Sequence, residues 1–214
     1  MSGRTALVLG GTGMLQGCAD ELLAQGWQVV LPSRRPPMAG MAARAALGRR
    51  GHVPQGRGTP LVTAPRREDE HRRREDFQRA ATWVRADWAS PADLAERVRE
   101  VLPAPADLLV AWVHQSYREP VLRAVAPLLA PDAPVVEVHD SGGISPRYGL
   151  PEPVLAGHPT QQVVLGFVRH GSTTRWLSHE EASVGVLAAV RRALDGRPSS
   201  VHQVGEVDTW VVRS

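Results

Sequence analysis

A glycine-rich turn lies between a short apolar run and a segment of helical periodicity near the start of the sequence. The run from Arg4 to Leu9 ends in TALVL, which is aliphatic and β-branched enough to form a buried strand. The turn follows as GGTGMLQG, and from Met14 to Gln25 apolar residues recur every three or four positions. Closely spaced glycines allow a tight turn and a close approach of the backbone to another group. The sequence therefore predicts a strand, a tight turn and a helix in direct succession.

The same alternation continues along the chain. Further strands are predicted at Trp27–Leu31, Ala81–Asp87, Asp107–Val113, Pro134–Val138 and Gln161–Val168, and one or two more within 201–212. Helices are predicted from Pro91 to about Val101, at Pro120–Leu129, and from the Ser178/Glu181 capping box to about Leu194. The segment HGSTTRWL is expected to turn back into an extended stretch, and 139–160 to form a loop. This order predicts an α/β fold, a Rossmann-type doubly wound parallel sheet with helices on both faces.

Size and composition fit one globular domain over residues 1–214. The chain has 214 residues, of which 43% are hydrophobic and 22% charged, so it can bury a sizeable core. It contains no run of eighteen apolar residues, and its first residues lack the apolar stretch of a signal peptide. We therefore expect no membrane partner and a cytoplasmic location.

All 25 basic residues are arginine, because the sequence contains no lysine. Any mechanism that needs a lysine amine is thereby excluded. Arg34 to Arg85 holds 13 arginines against five acids. Most of this segment, from about 36 to 79, is expected to be an exposed insertion with a helix over 41–50. Alternatively, it folds over a ligand or contacts a partner; the interleaved acids argue against nucleic acid as that partner.

The glycine turn resembles half of a dinucleotide-binding fingerprint. Gly11 and Gly13 have the spacing at which backbone amides and a helix N-terminus receive a pyrophosphate. Gln16 occupies the third glycine position and Gly17 follows it, a spacing that still allows the helix to pack closely on a strand. The alternative is a glycine turn without a ligand. The residues expected to hold the pyrophosphate are Gly10, Gly11, Thr12, Gly13, Met14 and Leu15.

The end of the second strand carries the residues that select the nucleotide. An acidic residue there would bind the ribose 2′-hydroxyl of NAD, whereas arginine would bind the 2′-phosphate of NADP. The sequence has Ser33, Arg34 and Arg35, and guanidinium binds phosphate through paired, charge-assisted hydrogen bonds. We therefore predict NADP(H) as the cofactor. The alternative is that the arginines belong to a solvated loop.

Three motifs give the chain a family resemblance: LVLGGTGML at the start, LLVAWVHQS at 108–116, and RWLSHEE at 175–181. Together they resemble the atypical branch of the short-chain dehydrogenase/reductase superfamily, and a small bacterial group within it that shares GGTGML, AWxHxS and RWLxHEE motifs. The resemblance implies a Rossmann fold with Asp87 and Trp88 near the adenine. It also implies that Trp112 and His114 lie beside the ribose and nicotinamide of the cofactor.

The catalytic pair of that superfamily is missing. Its members use a serine after the fifth strand and a Tyr-x-x-x-Lys helix, in which lysine lowers the pKa of the tyrosine. Here Ser141 is near the serine's place, but Tyr148 is followed four residues later by Glu152 and is surrounded by prolines. We therefore take His114 as the candidate proton donor, with Ser141 or Tyr148 orienting the substrate. Alternatively, His114 only contacts the ribose and Tyr148 only covers the loop.

These features predict an NADPH-dependent reductase that acts on a small carbonyl or imine substrate. Two alternatives remain: a non-enzymatic NADP(H) sensor, or a non-redox isomerase, cyclase or dehydratase on the same fold. The histidines lack metal-ligand spacing, so no metal is expected. A homo-oligomer is left open.

Overall fold

The computed structural model describes residues 3–37, 81–144, 148–171 and 173–207. Its strands are β1 (Thr5–Leu9), β2 (Gln28–Ser33), β3 (Ala81–Arg85), β4 (Leu108–Trp112), β5 (Val135–Asp140), β6 (Thr160–Leu165), β7 (Phe167–His170), β8 (Thr173–Trp176) and β9 (Ser200–Val204). Its helices are α1 (Gln16–Ala24), α2 (Pro91–Val101), α3 (Gln115–Val125) and α4 (His179–Leu194). Most of the Arg-rich segment, including the helix predicted over 41–50, and residues 208–212 lie outside the described residues.

The main sheet has seven strands in the order β3-β2-β1-β4-β5-β6-β9, and every pairing in it is parallel. Successive side chains of each strand enter different cores, as the pleat requires. In β1, Ala6 and Val8 pack with α1 and α4, whereas Leu7 and Leu9 pack with α2 and α3. The predicted doubly wound α/β sheet with helices on both faces is therefore confirmed.

Helix α3 begins earlier than its sequence pattern indicates. Proline is favoured in the first turn of a helix, so the prediction began the helix at Pro120. The structure begins it at Gln115, places Pro120 inside it, and follows it with a short 3-10 turn at Ala126–Leu128. His114 caps the helix, because its Nδ1 accepts a hydrogen bond from the Ser116 amide at 3.3 Å.

The connection from β5 to β6 contains a 3-10 turn at Ser141–Gly143 and, in its described parts 141–144 and 148–159, no α-helix. Buried side chains hold this loop against the sheet instead. Arg118 of α3 forms a buried ion pair with Glu137 of β5, and its Nη2 also donates to the Glu152 carbonyl at 2.7 Å. Glu137 Oε1 accepts from the Val154 amide at 2.9 Å. These contacts join the loop to both α3 and β5.

The segment after β6 forms a hairpin. The prediction of one strand over 161–168 is wrong in its second half, because the strand ends at Leu165. A Cβ at Gly166 would lie 1.9 Å from the Glu206 carbonyl oxygen, so only glycine fits where the chain turns aside. Strands β7 and β8 then pair antiparallel, in agreement with the predicted turn and extended stretch.

Gly17 brings two helices together. A Cβ built on it would lie 3.0 Å from both Cβ and Oγ of Ser183 in α4, so glycine permits the contact between α1 and α4. The close contact at Gly17 is thus with α4, while α1 packs on β1 through other residues of the same core. The single cysteine, Cys18, is fully buried in the same core, and burial raises the pKa of its thiol to about 12. Among the described helices, none has the length and apolar character that a membrane span requires.

Candidate functional site

The order of the strands reverses direction between β1 and β4, whose carboxyl ends lie side by side. In open parallel sheets, ligands bind in the crevice outside the strand ends at such a reversal. The glycine turn follows β1 and the AWVH motif ends β4, so two of the sequence motifs meet at this crevice.

The backbone of the glycine turn has a conformation that demands glycine. Gly10 has φ +89°, and a Cβ on it would lie 3.0 Å from the Trp112 carbonyl oxygen. Its own carbonyl accepts from the amides of Gly13 and Leu15, each at 3.2 Å. The amides of Thr12 and Met14 have no hydrogen-bond partner among the described residues. These two donors, at the entrance to α1, suit an anionic group.

A cavity of about 470 Å³ extends from this turn across the end of β2. We call it the arginine cleft; its lining residues are Gly10, Thr12, Gly13, Ser33, Arg34, Arg35, Ala86, Trp88 and Trp112. Ser33 fixes the backbone at Arg34 and Arg35, because its hydroxyl donates to the Arg35 carbonyl at 2.5 Å and accepts from Trp83 Nε1 at 3.0 Å. This contact of Trp83 was not predicted, because Trp83 is fifty residues from Ser33 in the sequence and reaches it only through the pairing of β2 with β3.

The shape and donor set of the arginine cleft fit a dinucleotide phosphate. The free Thr12 amide lies at one end and the two exposed guanidinium groups at the other, and the cleft has the volume of a typical ligand site. Five of the expected contact residues are not in its lining: Gly11, Met14, Leu15, Asp87 and His114. Leu15 is fully buried in the core, and Asp87 is exposed and accepts from the Ala89 amide at 3.1 Å. Met14 lines the neighbouring cavity instead.

That neighbouring cavity has a volume of about 200 Å³ and shares Trp112 with the arginine cleft. We call it the tryptophan pocket; its lining residues are Met14, Trp112, Asp140, Leu165, Gly166, Trp176 and Leu177. All of the side chains in this part of the lining are apolar or aromatic except the carboxylate of Asp140. Because β4, β5 and β6 are adjacent in the sheet, the ends of these three strands form its floor.

Two glycines after β5 bring Asp140 and Trp176 close to each other. A Cβ on Gly142 would lie 3.2 Å from Trp176 Cη2 and 3.3 Å from Asp140 Oδ1. Asp140 Oδ1 also accepts from the Gly143 amide at 2.7 Å. The HDSGG run at 139–143 therefore places a carboxylate and an indole ring on one side of the pocket; a side chain at 142 would crowd both, and one at 143 would crowd the carboxylate.

The RWLSHEE motif fixes the segment that carries Trp176. Arg175 donates to both carboxylate oxygens of Glu181, at 2.8 and 2.9 Å, and to the Trp176 carbonyl at 3.0 Å. Glu181 completes a capping box with Ser178 at the start of α4. The hydrogen bonds from Arg175, and then the bond from the Ser178 amide, lower the pKa of Glu181 to about 2. Strand β8 is thus attached to α4 beside the pocket.

The three candidate catalytic side chains line neither cavity. His114 is exposed and caps α3, Ser141 is buried in the turn after β5, and Tyr148 is 77% exposed. Because Nδ1 of His114 accepts a hydrogen bond from the Ser116 amide, Nε2 is the ring nitrogen left to donate. Trp176 was not predicted as a site residue, although it lies within the RWLSHEE motif. After β5, the prediction chose Ser141 and not the adjacent Asp140.

His139 lies one residue before Asp140 but points into the buried network. Its side chain is 6% exposed, and Nε2 lies 3.4 Å from Gln162 Nε2. Burial, and then the nearby Arg118 charge, lower the pKa of His139 to about 3. It is therefore neutral near pH 7. No group of three or more His, Cys, Asp or Glu side chains among the described residues could hold a metal ion.

No family model and no curated protein matches the sequence. Solved structures do match the fold. A carbonyl reductase from Pseudomonas aeruginosa PAO1 in complex with NADP is 18% identical, with a TM-score of 0.57 over 94% of this chain and 96% of that one. A protein described as a short-chain dehydrogenase/reductase from Burkholderia multivorans, with bound NADP, is 16% identical, with a TM-score of 0.59 over 96% and 99%.

The NADH-dependent reductase A1-R′, complexed with NAD, is 15% identical, with a TM-score of 0.58 over 95% of this chain and 96% of that one. At such identities, the similarity shows the fold alone. The chain therefore has the fold of short-chain dehydrogenases and reductases, as its motifs predict. The neighbours include proteins with NADP and with NAD, so the comparison favours neither nucleotide.

Proposed function

We propose that this protein is an NADPH-dependent reductase of the short-chain dehydrogenase/reductase-like type, acting on a small substrate. One observation carries the proposal. The arginine cleft, with the free Thr12 amide at one end and two guanidinium groups at the other, adjoins an apolar pocket through a shared residue, Trp112. A dinucleotide in the cleft would thus have a second cavity beside it for the molecule to be reduced.

Each part of the cleft has a separate task in this proposal. The amides of Thr12 and Met14 bind the pyrophosphate, and Arg34 and Arg35 bind the 2′-phosphate. Trp88, which lines the cleft, would contact the adenine. When bound, NADPH supplies a hydride to the neighbouring pocket.

A second candidate function is a non-enzymatic NADP(H) sensor. It is favoured by the positions of Ser141 and Tyr148, which line neither cavity, and by the absence of a Tyr-x-x-x-Lys helix. A sensor would bind the cofactor as tightly as a reductase would, so binding alone does not separate the two. Oxidation of NADPH with a substrate does.

The cofactor proposal is tested by measuring dissociation constants for NADPH and NADH by calorimetry. We expect NADPH to bind more tightly, because only it carries the phosphate for Arg34 and Arg35. A hydrogen bond to a charged group contributes roughly 1.5 to 3 kcal/mol, so Arg34→Ala and Arg35→Ala should each weaken NADPH binding about 10- to 100-fold. NADH binding should change little.

Arg97→Ala provides the matched control, because Arg97 is also exposed but lies on α2 and pairs with Asp93. It should leave both dissociation constants unchanged. Tighter binding of NADH by the wild-type protein, or equal losses for the two nucleotides in the arginine variants, would contradict NADP(H) as the cofactor.

A further inference from the structure

The carboxylate of Asp140 is the only charged group among the described residues that line the tryptophan pocket. Its Oδ1 accepts from the Gly143 amide. Within the described ranges, no arginine or histidine forms an ion pair with it, and no donor hydrogen-bonds to Oδ2. Asp140 is half-buried, with Trp176 and Leu165 beside it in the lining. The pocket therefore presents a net negative charge among apolar walls.

A neutral molecule would fill this pocket at a cost. It would displace the water around the carboxylate and offer no compensating charge, and an ion stripped of water without a partner is strongly disfavoured. A small organic cation would compensate Asp140 directly. Indole rings also attract cations more strongly than other aromatic side chains do, and Trp112 and Trp176 both line the cavity. Carboxylate and indoles thus favour the same kind of ligand.

Among the described residues, the lining also lacks a side chain suited to donate a proton. Apart from Asp140, it consists of Met, Leu, Trp and Gly residues. Reduction of a neutral ketone needs a proton for the oxygen as well as a hydride for the carbon. Reduction of an iminium ion forms one C–H bond with the hydride, moves the C=N π pair onto nitrogen, and consumes no proton. The positive charge that Asp140 attracts is the same charge that makes the carbon electrophilic.

We infer that the tryptophan pocket binds a small organic cation, and that the substrate is an iminium ion held by Asp140 with Trp112 and Trp176. The inference deepens the proposed reductase function and rests on it for the hydride donor, a reduced nicotinamide. The cation selectivity of the pocket stands on the pocket's own residues. The volume of about 200 Å³ limits the substrate to a small molecule.

The first test measures binding without any cofactor. Choline and 3,3-dimethylbutan-1-ol have the same shape and differ by one positive charge, and their affinities can be compared by calorimetry. We expect choline to bind at least about tenfold more tightly, as a charge-assisted and cation–π contact requires. Asp140→Asn should remove most of this preference, because asparagine keeps an oxygen for the Gly143 amide but loses the charge.

Two further variants complete the test. Trp176→Leu should weaken choline binding about fivefold, while the alcohol loses less. Its side chain is 62% exposed, so the substitution leaves the core intact. Asp93→Asn is the matched control, since this carboxylate lies on the exposed face of α2, and choline binding should be unchanged. Equal binding of choline and the alcohol, or a preference that survives in Asp140→Asn, would overturn the inference.

The second test measures NADPH oxidation with N-methyl-1-pyrrolinium and with cyclopentanone, which are similar in size. The iminium ion should be reduced at least about 100-fold faster, and Asp140→Asn should raise its KM. Reduction of the ketone alone would overturn the inference and leave the reductase proposal standing. A protein that selects choline in the first test but fails to bind NADPH would refute the proposed function, and with it the iminium reaction, while keeping the cation site.

Discussion

Gly10 and Gly26 share a left-handed backbone conformation but have different surroundings. Their φ angles are +89° and +86°, a region in which L-residues are strained. No atom lies within 4 Å of a Cβ built on Gly26, whereas a Cβ on Gly10 meets the Trp112 carbonyl. Comparing the two glycines therefore separates two free-energy costs of adding a Cβ: that of the left-handed conformation, and that of the contact with Trp112 at the crevice.

We predict that Gly26→Ala lowers the free energy of unfolding by about 1 to 2 kcal/mol, the cost of the left-handed conformation. Gly10→Ala should lower it by about 1 kcal/mol more, because β1 and β4 must also move apart. Urea denaturation measures both. Only Gly10→Ala should weaken NADPH binding, and equal effects of the two variants on binding would show that the turn does not position the cofactor.

At the scale of single elements, α3 carries two arginines whose environments differ. Arg118 pairs with Glu137 where both side chains are almost fully buried, at 9% and 1% exposure. Arg123 pairs with Glu119 on the outer face, at 68% and 63% exposure. The buried pair joins α3, β5 and the loop before β6, whereas the exposed pair joins neighbouring turns of one helix.

Arg118→Met is expected to lower the free energy of unfolding by about 3 to 5 kcal/mol, because Glu137 would remain buried without its cation. Arg123→Met should cost about 0.5 kcal/mol or less. Thermal or urea unfolding of the two variants gives the comparison. If both losses were small, the β5–β6 loop would have to be held by other contacts.

The elements also show which parts of the site the sequence could predict. Strand β1, the glycine turn and the arginines after β2 were predictable, because their signals are local and follow one another in the chain. The position of the tryptophan pocket was not. It depends on the turn at Gly166 and on the ion pair between Arg175 and Glu181, which join segments through long-range contacts. Likewise, Gly17 is understood only once α4 is known to pack on α1.

For the molecule as a whole, the alternation of strands and helices was sufficient to predict the parallel sheet, since few other arrangements cover both faces of such a sheet. The start of α3 was wrong because Pro120 is a strong local signal that the His114 cap and tertiary packing override. The loop between β5 and β6 was expected from its prolines. Its buried network was not, because Arg118, Glu137 and His139 read as ordinary polar residues in sequence.

The buried network of Arg118, Glu137 and His139 makes the free energy of unfolding dependent on pH. His139 has a pKa of about 3 in the folded protein against an ordinary value of 6.5, so the unfolded chain binds the proton more readily. Its contribution to stability is complete above pH 6.5 and is lost as the pH falls towards 3. From pH 7 to pH 5, the wild-type protein should lose about 2 kcal/mol more unfolding free energy than His139→Gln does. Exposed His170→Gln should follow the wild type, and parallel curves for all three proteins would contradict the assignment.

The burial of Cys18 has a practical consequence for experiments on the β7–β8 hairpin. The only thiol of the chain is fully enclosed, and the pKa of about 12 keeps it protonated at neutral pH. Maleimide and iodoacetamide reagents attack thiolates that solvent can reach. A cysteine introduced at exposed Thr174 would therefore be the one reactive site, and a fluorophore or spin label there would report hairpin motion in a protein that keeps its native core.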